Sequence, residues 1–343
     1  MRPALKVGLR PLWRDQDTLQ FGVDPRRARA LTGLGKAAAI VSLLDGSRDT
    51  AQVVRTAEAY GIRQEIVYRV IELLASAGAL DDFPASMRAA LPDYLRARIG
   101  PELACATLAY GHGDGGAAVL ARRRVAFARI YGAGRVGACV ATFLAASGVA
   151  WVSCLDTATA EPADVTPAGI GPADVGASRA AGVARAVHRV APEVRTANDA
   201  SRLPDLAVIT GRPDPVLIAA LMRDQVPHLV VHADEAIGVV GPLVLPGRSA
   251  CVRCLDLSKA ARDPAWPRIL AQASGIAAPA ATQACDTILA AATAALAVAQ
   301  ALTVIDRAGV PAAANGTLEV VLPEWQWQRR GWPPHPACTC GAR

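Results

Sequence analysis

The hydrophobic pattern changes character twice along the chain. Over residues 1–82 the segments Leu9–Trp13, Thr18–Gly22 and Arg27–Leu31 are short and strand-like, with turn residues between them. Three helical patterns follow: Lys36–Leu44, closed by Asp45-Gly46; a run from the caps Ser47 and Asp49 to Tyr60, stopped by Gly61; and Gln64–Ala77, stopped by Gly78. In the last of these, Ile66, Val67, Val70, Ile71, Leu73 and Leu74 fall on helical spacing. A short sheet followed by three helices predicts a small winged-helix domain. Residues 83–120 predict a helical connector, with helices over Met87–Arg98 and Pro101–Ala109. The run Gly111-His112-Gly113-Asp114-Gly115-Gly116 then breaks the chain, and it lacks the Lys-Ser/Thr of a phosphate loop.

From Arg124 onward strands and helices alternate. Val125–Tyr131, Val149–Leu155, Leu206–Thr210 and His228–His232 read as strands, with helices Val136–Ser147, Ser178–Val190 and Pro215–Asp224 between them. That alternation predicts a Rossmann-like α/β domain over 121–343, a doubly wound and mainly parallel sheet. Val239–Leu245 and Thr317–Leu322 are expected as later, antiparallel strands. Ile288–Ile305 is uncharged and long enough to span a bilayer, but it is mostly Ala, contains Gln300 and has no aromatic belt. It is expected as a buried core helix, with no membrane partner.

Composition adds limits. The chain has 343 residues, of which 52% are hydrophobic and 19% charged, which suits about two packed domains and excludes a disordered chain. Basic residues number 36 against 30 acidic, and the lysines are Lys6, Lys36 and Lys259 alone. A net +6 is too dilute to indicate nucleic acid, and the candidate recognition helix sets Arg69 against Glu65 and Glu72. Met1-Arg2-Pro3-Ala4-Leu5-Lys6 lacks the basic-then-apolar order of a secretory signal, so a cytoplasmic location is expected. In that compartment, paired cysteines point to metal rather than to disulfides.

Two motifs carry candidate chemistry. Gly132-Ala133-Gly134-Arg135-Val136-Gly137 fits G-x-G-x-x-G between a strand and a helix. The first glycine permits the turn, the second lets backbone approach a phosphate, and the third lets helix pack on strand. Asp156 ends the next strand, where a ribose-binding carboxylate sits. The competing reading is a turn kept for packing alone. Cys251-Val252-Arg253-Cys254 and Cys338-Thr339-Cys340 supply four sulfurs on two tight turns, which suits a closed, structural zinc site. Such a site would pin the tail to the loop after the fourth or fifth strand; unmetallated thiols or a disulfide is the alternative. A redox C-x-x-C should open a helix near the chain's first βαβ unit, and this one is expected not to. Cys105, Cys139, Cys154 and Cys285 are unpaired; Cys139 and Cys154 fall inside apolar helix and strand patterns and read as packing residues, and Cys285, before a long apolar helix, has no base beside it for a nucleophile role. Arg122-Arg123-Arg124 reads as a cationic last helical turn suited to the dipole. Trp325, Trp327 and Trp332 are expected to cover the zinc site and the sheet edge.

Together the glycine turn, Asp156 and the two cysteine pairs resemble the ThiF/MoeB superfamily, of ubiquitin-activating-enzyme fold, over roughly 121–343. The N-terminal pattern is similar to PqqD-type recognition elements that bind leader peptides. The combination resembles actinobacterial proteins associated with azoline-forming (TOMM) peptide cyclodehydratases, with Gly241–Arg248 and Asp263–Pro267 as further strings of that group. The resemblance implies homodimers and, in active members, adenylation of a C-terminal carboxylate with ATP and Mg2+. It also implies an Asn-x-x-Arg stretch, where this chain has Asp164-Val165-Thr166-Pro167, and a phosphate-binding Lys, where it has Arg179. A metal-holding Asp is implied near Asp214, beside Arg212. The expected nucleotide-binding residues are therefore Gly132, Gly134, Arg135, Gly137, Asp156 and Arg179. The expected function is leader-peptide binding and docking of a partner cyclodehydratase with an eroded adenylation site. The alternative is an ATP-dependent adenylyltransferase. An oxidoreductase lacks a supporting His or Tyr-x-x-x-Lys set, and a DNA-binding regulator lacks a dense basic stripe.

Overall fold

The computed structural model describes residues 1–84, 91–274 and 283–342, and the chain divides into two compact units, Met1–Ala121 and Arg122–Arg343.

In the first unit, strands β2 (Pro11–Trp13), β3 (Leu19–Phe21) and β4 (Arg29–Leu31) form an antiparallel sheet in that order. β1 (Ala4–Leu5) pairs with β5 (Leu80–Asp81), a two-residue ladder too short for any sequence pattern to mark. The first helical pattern is a 3₁₀ helix, Gly35–Leu43. The second is α1 (Thr50–Ala59), where Asp49 accepts from Gln52 N–H and the Gln52 side chain accepts from Asp49 N–H, a capping box. α2 (Gln64–Ser76) buries Val67, Val70, Ile71 and Leu74 against Phe21, Ile40 and Val53. Lys6, only 3% exposed, is held by Asp81 and by the carbonyl and hydroxyl of Thr107. Thr107 lies on α3 (Asp93–Tyr110), one continuous helix where two were predicted. Pro101 falls inside it, and buried Leu95, Ile99 and Ala106 on either side hold it together. The predicted helix start at Met87 lies outside the described residues.

α4 (Ala117–Val125) spans the division, and the second unit carries a seven-stranded sheet of order β12-β11-β10-β9-β8-β6-β7. The strands are β6 (Phe127–Tyr131), β7 (Trp151–Leu155), β8 (Leu206–Thr210), β9 (His228–Asp234), β10 (Ile237–Val244), β11 (Gly316–Val321) and β12 (Gln328–Gly331). β6 to β9 are parallel, and β10, β11 and β12 are antiparallel, as their sequence spacing anticipates for the first two. Helices α5 (Arg135–Ala146), α6 (Arg179–Val190) and α7 (Pro215–Arg223) make the crossovers. α8 (Val252–Arg262), α9 (Trp266–Ser274) and α10 (Thr287–Ile305) follow β10. α10 is long and apolar enough to cross a membrane, yet Leu289, Ala290, Thr293, Ala294, Ala297, Val298, Ala301 and Ile305 are buried, and it packs against α5, β9 and β10. The Ala-rich sequence lets this helix lie close to the sheet.

Arg122, Arg123 and Arg124 do form the last turn of α4. Arg123, however, is buried and grips Asp306 through Nε at 2.9 Å and Nη2 at 2.6 Å, a role beyond the dipole.

Candidate functional site

The turn between β6 and α5 is built by steric necessity. Gly132 sits at φ +98°, and a Cβ there would meet Thr210 Oγ1 at 2.4 Å. A Cβ on Gly137 would stand 1.9 Å from Gly132 O, so only glycine lets α5 approach its own turn. Gly134 differs. Its nearest neighbour would be Asp164 Oδ1 at 4.0 Å, so the space over it is open to a ligand. Asp156 anchors the turn from the end of β7. Its Oδ2 accepts from Ala133 N–H at 2.6 Å and its Oδ1 from Ala158 N–H at 2.7 Å. Each oxygen keeps a second lone pair for a hydroxyl.

The charged residues around this turn are engaged by the protein itself. Arg179, at the start of α6, donates through Nε to Asp164 Oδ2 at 2.7 Å, and Asp164 is 1% exposed. Asp164 Oδ2 also accepts from Glu161 N–H. Arg135 reaches across to Ala163 O at 2.6 Å and Thr287 Oγ1 at 2.8 Å. Asp214 caps α7, accepting from Val216 N–H at 2.8 Å, and Arg212 is exposed two residues before it. The structure thus gathers Gly132, Gly134, Arg135, Gly137 and Asp156 at the α5 N-terminus. It adds Asp164 as the partner of Arg179, a pairing that no periodicity or motif announces.

The four cysteines converge on a second centre. Their sulfurs lie within 4.8 Å of one another. Cys251 and Cys254 are 3.8 Å apart, Cys251 and Cys338 3.6 Å, and Cys254 and Cys340 3.6 Å. All eight cysteines are free thiols. Four sulfurs at about 2.3 Å from a tetrahedral ion stand about 3.8 Å apart, so the set fits such an ion. The C-x-x-C opens a helix, but one after β10 and far from the first βαβ unit: Cys251 is the N-cap of α8, with extended backbone at φ −93° and ψ 176°. Burial pushes the Cys251 thiol up, and Cys338 likewise. Desolvation works the same way on Cys340, but the Ala342 N–H and the neighbouring thiols outweigh it and lower its pKa. His335 is not in the cluster: its Nδ1 accepts from Ala337 N–H.

Trp332 seals the cluster. It is 2% exposed, packs with Cys251, Cys254, Cys338 and Cys340, and donates through Nε1 to Thr317 Oγ1 at 2.8 Å. Lys259, Arg262 and Arg330 all lie over its ring, at 5.9, 5.3 and 5.7 Å from the centroid. Trp325 and Trp327 remain exposed. Of the unpaired cysteines, Cys139, Cys154 and Cys285 are buried or half-buried and Cys105 is exposed.

A mainly parallel sheet with a glycine turn at its first crossover, and four cysteine sulfurs that a late helix and the tail bring within 4.8 Å of one another, define a Rossmann-like α/β protein. Residues 111–341 match the model of the ThiF family, and the chain belongs to that family. No curated protein sequence matches it. Among solved structures, E. coli MccB with AMPCPP and MccA is similar over 100% of both chains, at 17% identity and a TM-score of 0.69. The microcin C7 biosynthetic enzyme MccB with N-formylated MccA is similar over the same extent, at 16% identity and a TM-score of 0.68. PaaA is 14% identical, with 95% of this chain and 99% of that one covered and a TM-score of 0.69. At these identities the likeness is one of fold.

Proposed function

We propose that this chain is a ThiF-like protein of ribosomal peptide modification that binds a precursor leader peptide and docks a partner cyclodehydratase, without activating a carboxylate itself. One observation carries the reading. Arg179, which stands where the resemblance puts the phosphate-binding Lys, has its charge balanced by buried Asp164 through Nε, and Pro167 stands where the resemblance puts the Arg of Asn-x-x-Arg. Of the two cations the resemblance implies toward a triphosphate, one is lost and the other is paired internally, and phosphoryl chemistry depends on positioned charge. Asp214, the candidate for Mg2+, is a helix cap beside a cation.

The three-part division into a winged-helix, PqqD-like module at 1–82, a connector at 83–120 and a ThiF-like domain at 121–343 belongs to this reading, as do a cytoplasmic homodimer and a structural Zn2+ held by Cys251, Cys254, Cys338 and Cys340. The leader would add as a strand to an edge of the β2-β3-β4 sheet. β2 carries exposed Leu12 and Trp13 on such an edge. Titration of the full chain with a labelled leader should give low-micromolar binding that ATP and Mg2+ leave unchanged. Absence of leader binding would end the proposal.

A second reading, an ATP-dependent adenylyltransferase acting on a peptide or carrier-protein carboxylate, is favoured by the complete glycine turn with Asp156 and by the end-to-end likeness to MccB, solved with ATP and with MccA. Pyrophosphate exchange with candidate peptides, together with a rise in thermal midpoint on adding ATP, would establish it. A lack of both favours the first reading.

A further inference from the structure

Away from the glycine turn, the loop 165–174 and helix α6 bound a groove of about 920 Å³. Its non-polar lining is Val165, Pro167, Pro172 and Ala173. Its other wall is Arg185, His188 and Arg189, spaced i, i+3 and i+4 on one face of α6. The one acid in the lining, Asp174, is already satisfied: Gly171 N–H donates to Oδ2 at 2.8 Å and Arg185 Nε to Oδ1 at 2.5 Å. Desolvation opposes its ionisation, but these two donors, with Arg189 nearby, hold its carboxyl below the usual range. Arg189 Nη2 donates to Gly169 O at 2.6 Å, and His188 Nε2 lies 3.0 Å from Val194 O. Each guanidinium has five N–H groups, so both line the groove with donors beyond these bonds.

Two cations against one satisfied anion leave an excess of positive charge over a non-polar lining whose two prolines have no N–H to offer. The next residues along, Val175 and Val190, are 40% and 38% exposed and prolong the apolar surface. The walls come from one loop and one helix, so the groove is open along its length and suits an extended chain better than an enclosed small molecule.

We infer that this groove receives an acidic segment of the partner enzyme, its carboxylates on Arg185 and Arg189 and its aliphatic side chains on Val165, Pro167 and Pro172. The inference rests on the docking reading above and names its surface. Charge complementarity of this kind sets the association rate and the choice of partner.

The test uses the full chain and an azoline-forming cyclodehydratase from the same genome, with binding followed by biolayer interferometry. Replacing both arginines (Arg185→Gln with Arg189→Gln) should weaken partner binding by about 30-fold, as expected for losing charged hydrogen bonds. Ala173→Glu touches no ion pair and should weaken it comparably through repulsion, which keeps the test valid if the double variant folds poorly. Leader binding should be unchanged in both. Unchanged partner binding in both variants would overturn the groove while leaving the docking reading intact. If the unsubstituted protein does not bind the enzyme, the docking reading falls, and the groove with it. Loss of leader binding in the variants, or a dimer that becomes monomeric by light scattering, would assign the groove to the leader or to a second copy instead.

Discussion

Removing the proposed zinc from the cysteine cluster, or one sulfur from its shell, should loosen the second unit by an amount set by chain length. The cluster joins Cys251 to Cys338, 87 residues apart, and Cys254 to Cys340, 86 apart. Treated as a cross-link in the chain-entropy expression, closing a loop of that length contributes about 4.6 kcal/mol at 25 °C. For a unit of this size each kcal/mol moves the midpoint by about 2–4 °C, so the expected fall is roughly 9–18 °C. The assay is thermal unfolding of the full chain before and after a zinc chelator, alongside elemental analysis for one zinc per chain. Cys251→Ser and Cys340→Ser separate the cause. The first residue is buried and the second half-exposed, so a packing effect would make Cys251→Ser much the worse. A cross-link makes the two alike, because each leaves a three-sulfur shell that spans both segments but holds the ion less tightly. Protein that purifies without metal, or a midpoint unmoved by chelation, would refute the reasoning.

Other outcomes follow from single contacts. Asp306→Ala leaves the buried Arg123 guanidinium without that carboxylate and should cost about 3–5 kcal/mol by denaturant unfolding. The double change Arg123→Met with Asp306→Leu should recover most of that loss, and a double variant less stable than either single one would contradict it. Gly137→Ala should abolish the native near-ultraviolet dichroism, because its Cβ would overlap Gly132 O, whereas Gly134→Ala should fold and only fill the space above the turn. Iodoacetamide at pH 8 should label Cys105 and spare Cys154 and Cys285, whose thiols burial pushes up to about 12 and about 11. At that pH only about one in 10^4 and one in 10^3 of the two are thiolate, and the fraction rises tenfold per pH unit. Ready labelling of either in the native protein would show that its burial is misjudged.

The crossover helices and parallel strands were legible because each buries one face at a regular period. Leu206–Thr210 needed no correction, and α6 began one residue after its Ser178 cap. β12 was not legible: Gln328 to Gly331 are all exposed, so no apolar alternation marks them as a strand. α8 and α9 were missed because α8 buries little beyond Cys254 and Leu255, and a cysteine pair hid its N-terminus. The glycine turn and the four sulfurs could be placed from spacing alone because backbone geometry and metal geometry dictate spacing. The Asp164–Arg179 pair could not, since two residues 15 apart meet only after the loop between them has folded.

That pair also constrains how this sequence can change. Asp164 is buried, so replacing it alone leaves Arg179 without its carboxylate in a water-poor position. Neutralising Arg179 alone strands the carboxylate. Either single step costs several kcal/mol before any benefit could appear. A lineage carrying this pair therefore sits in a local optimum from which the ion pair is lost without penalty only when both residues change together. The ion pair works as a ratchet, holding the site in one chemical state across generations of drift in the surface around it.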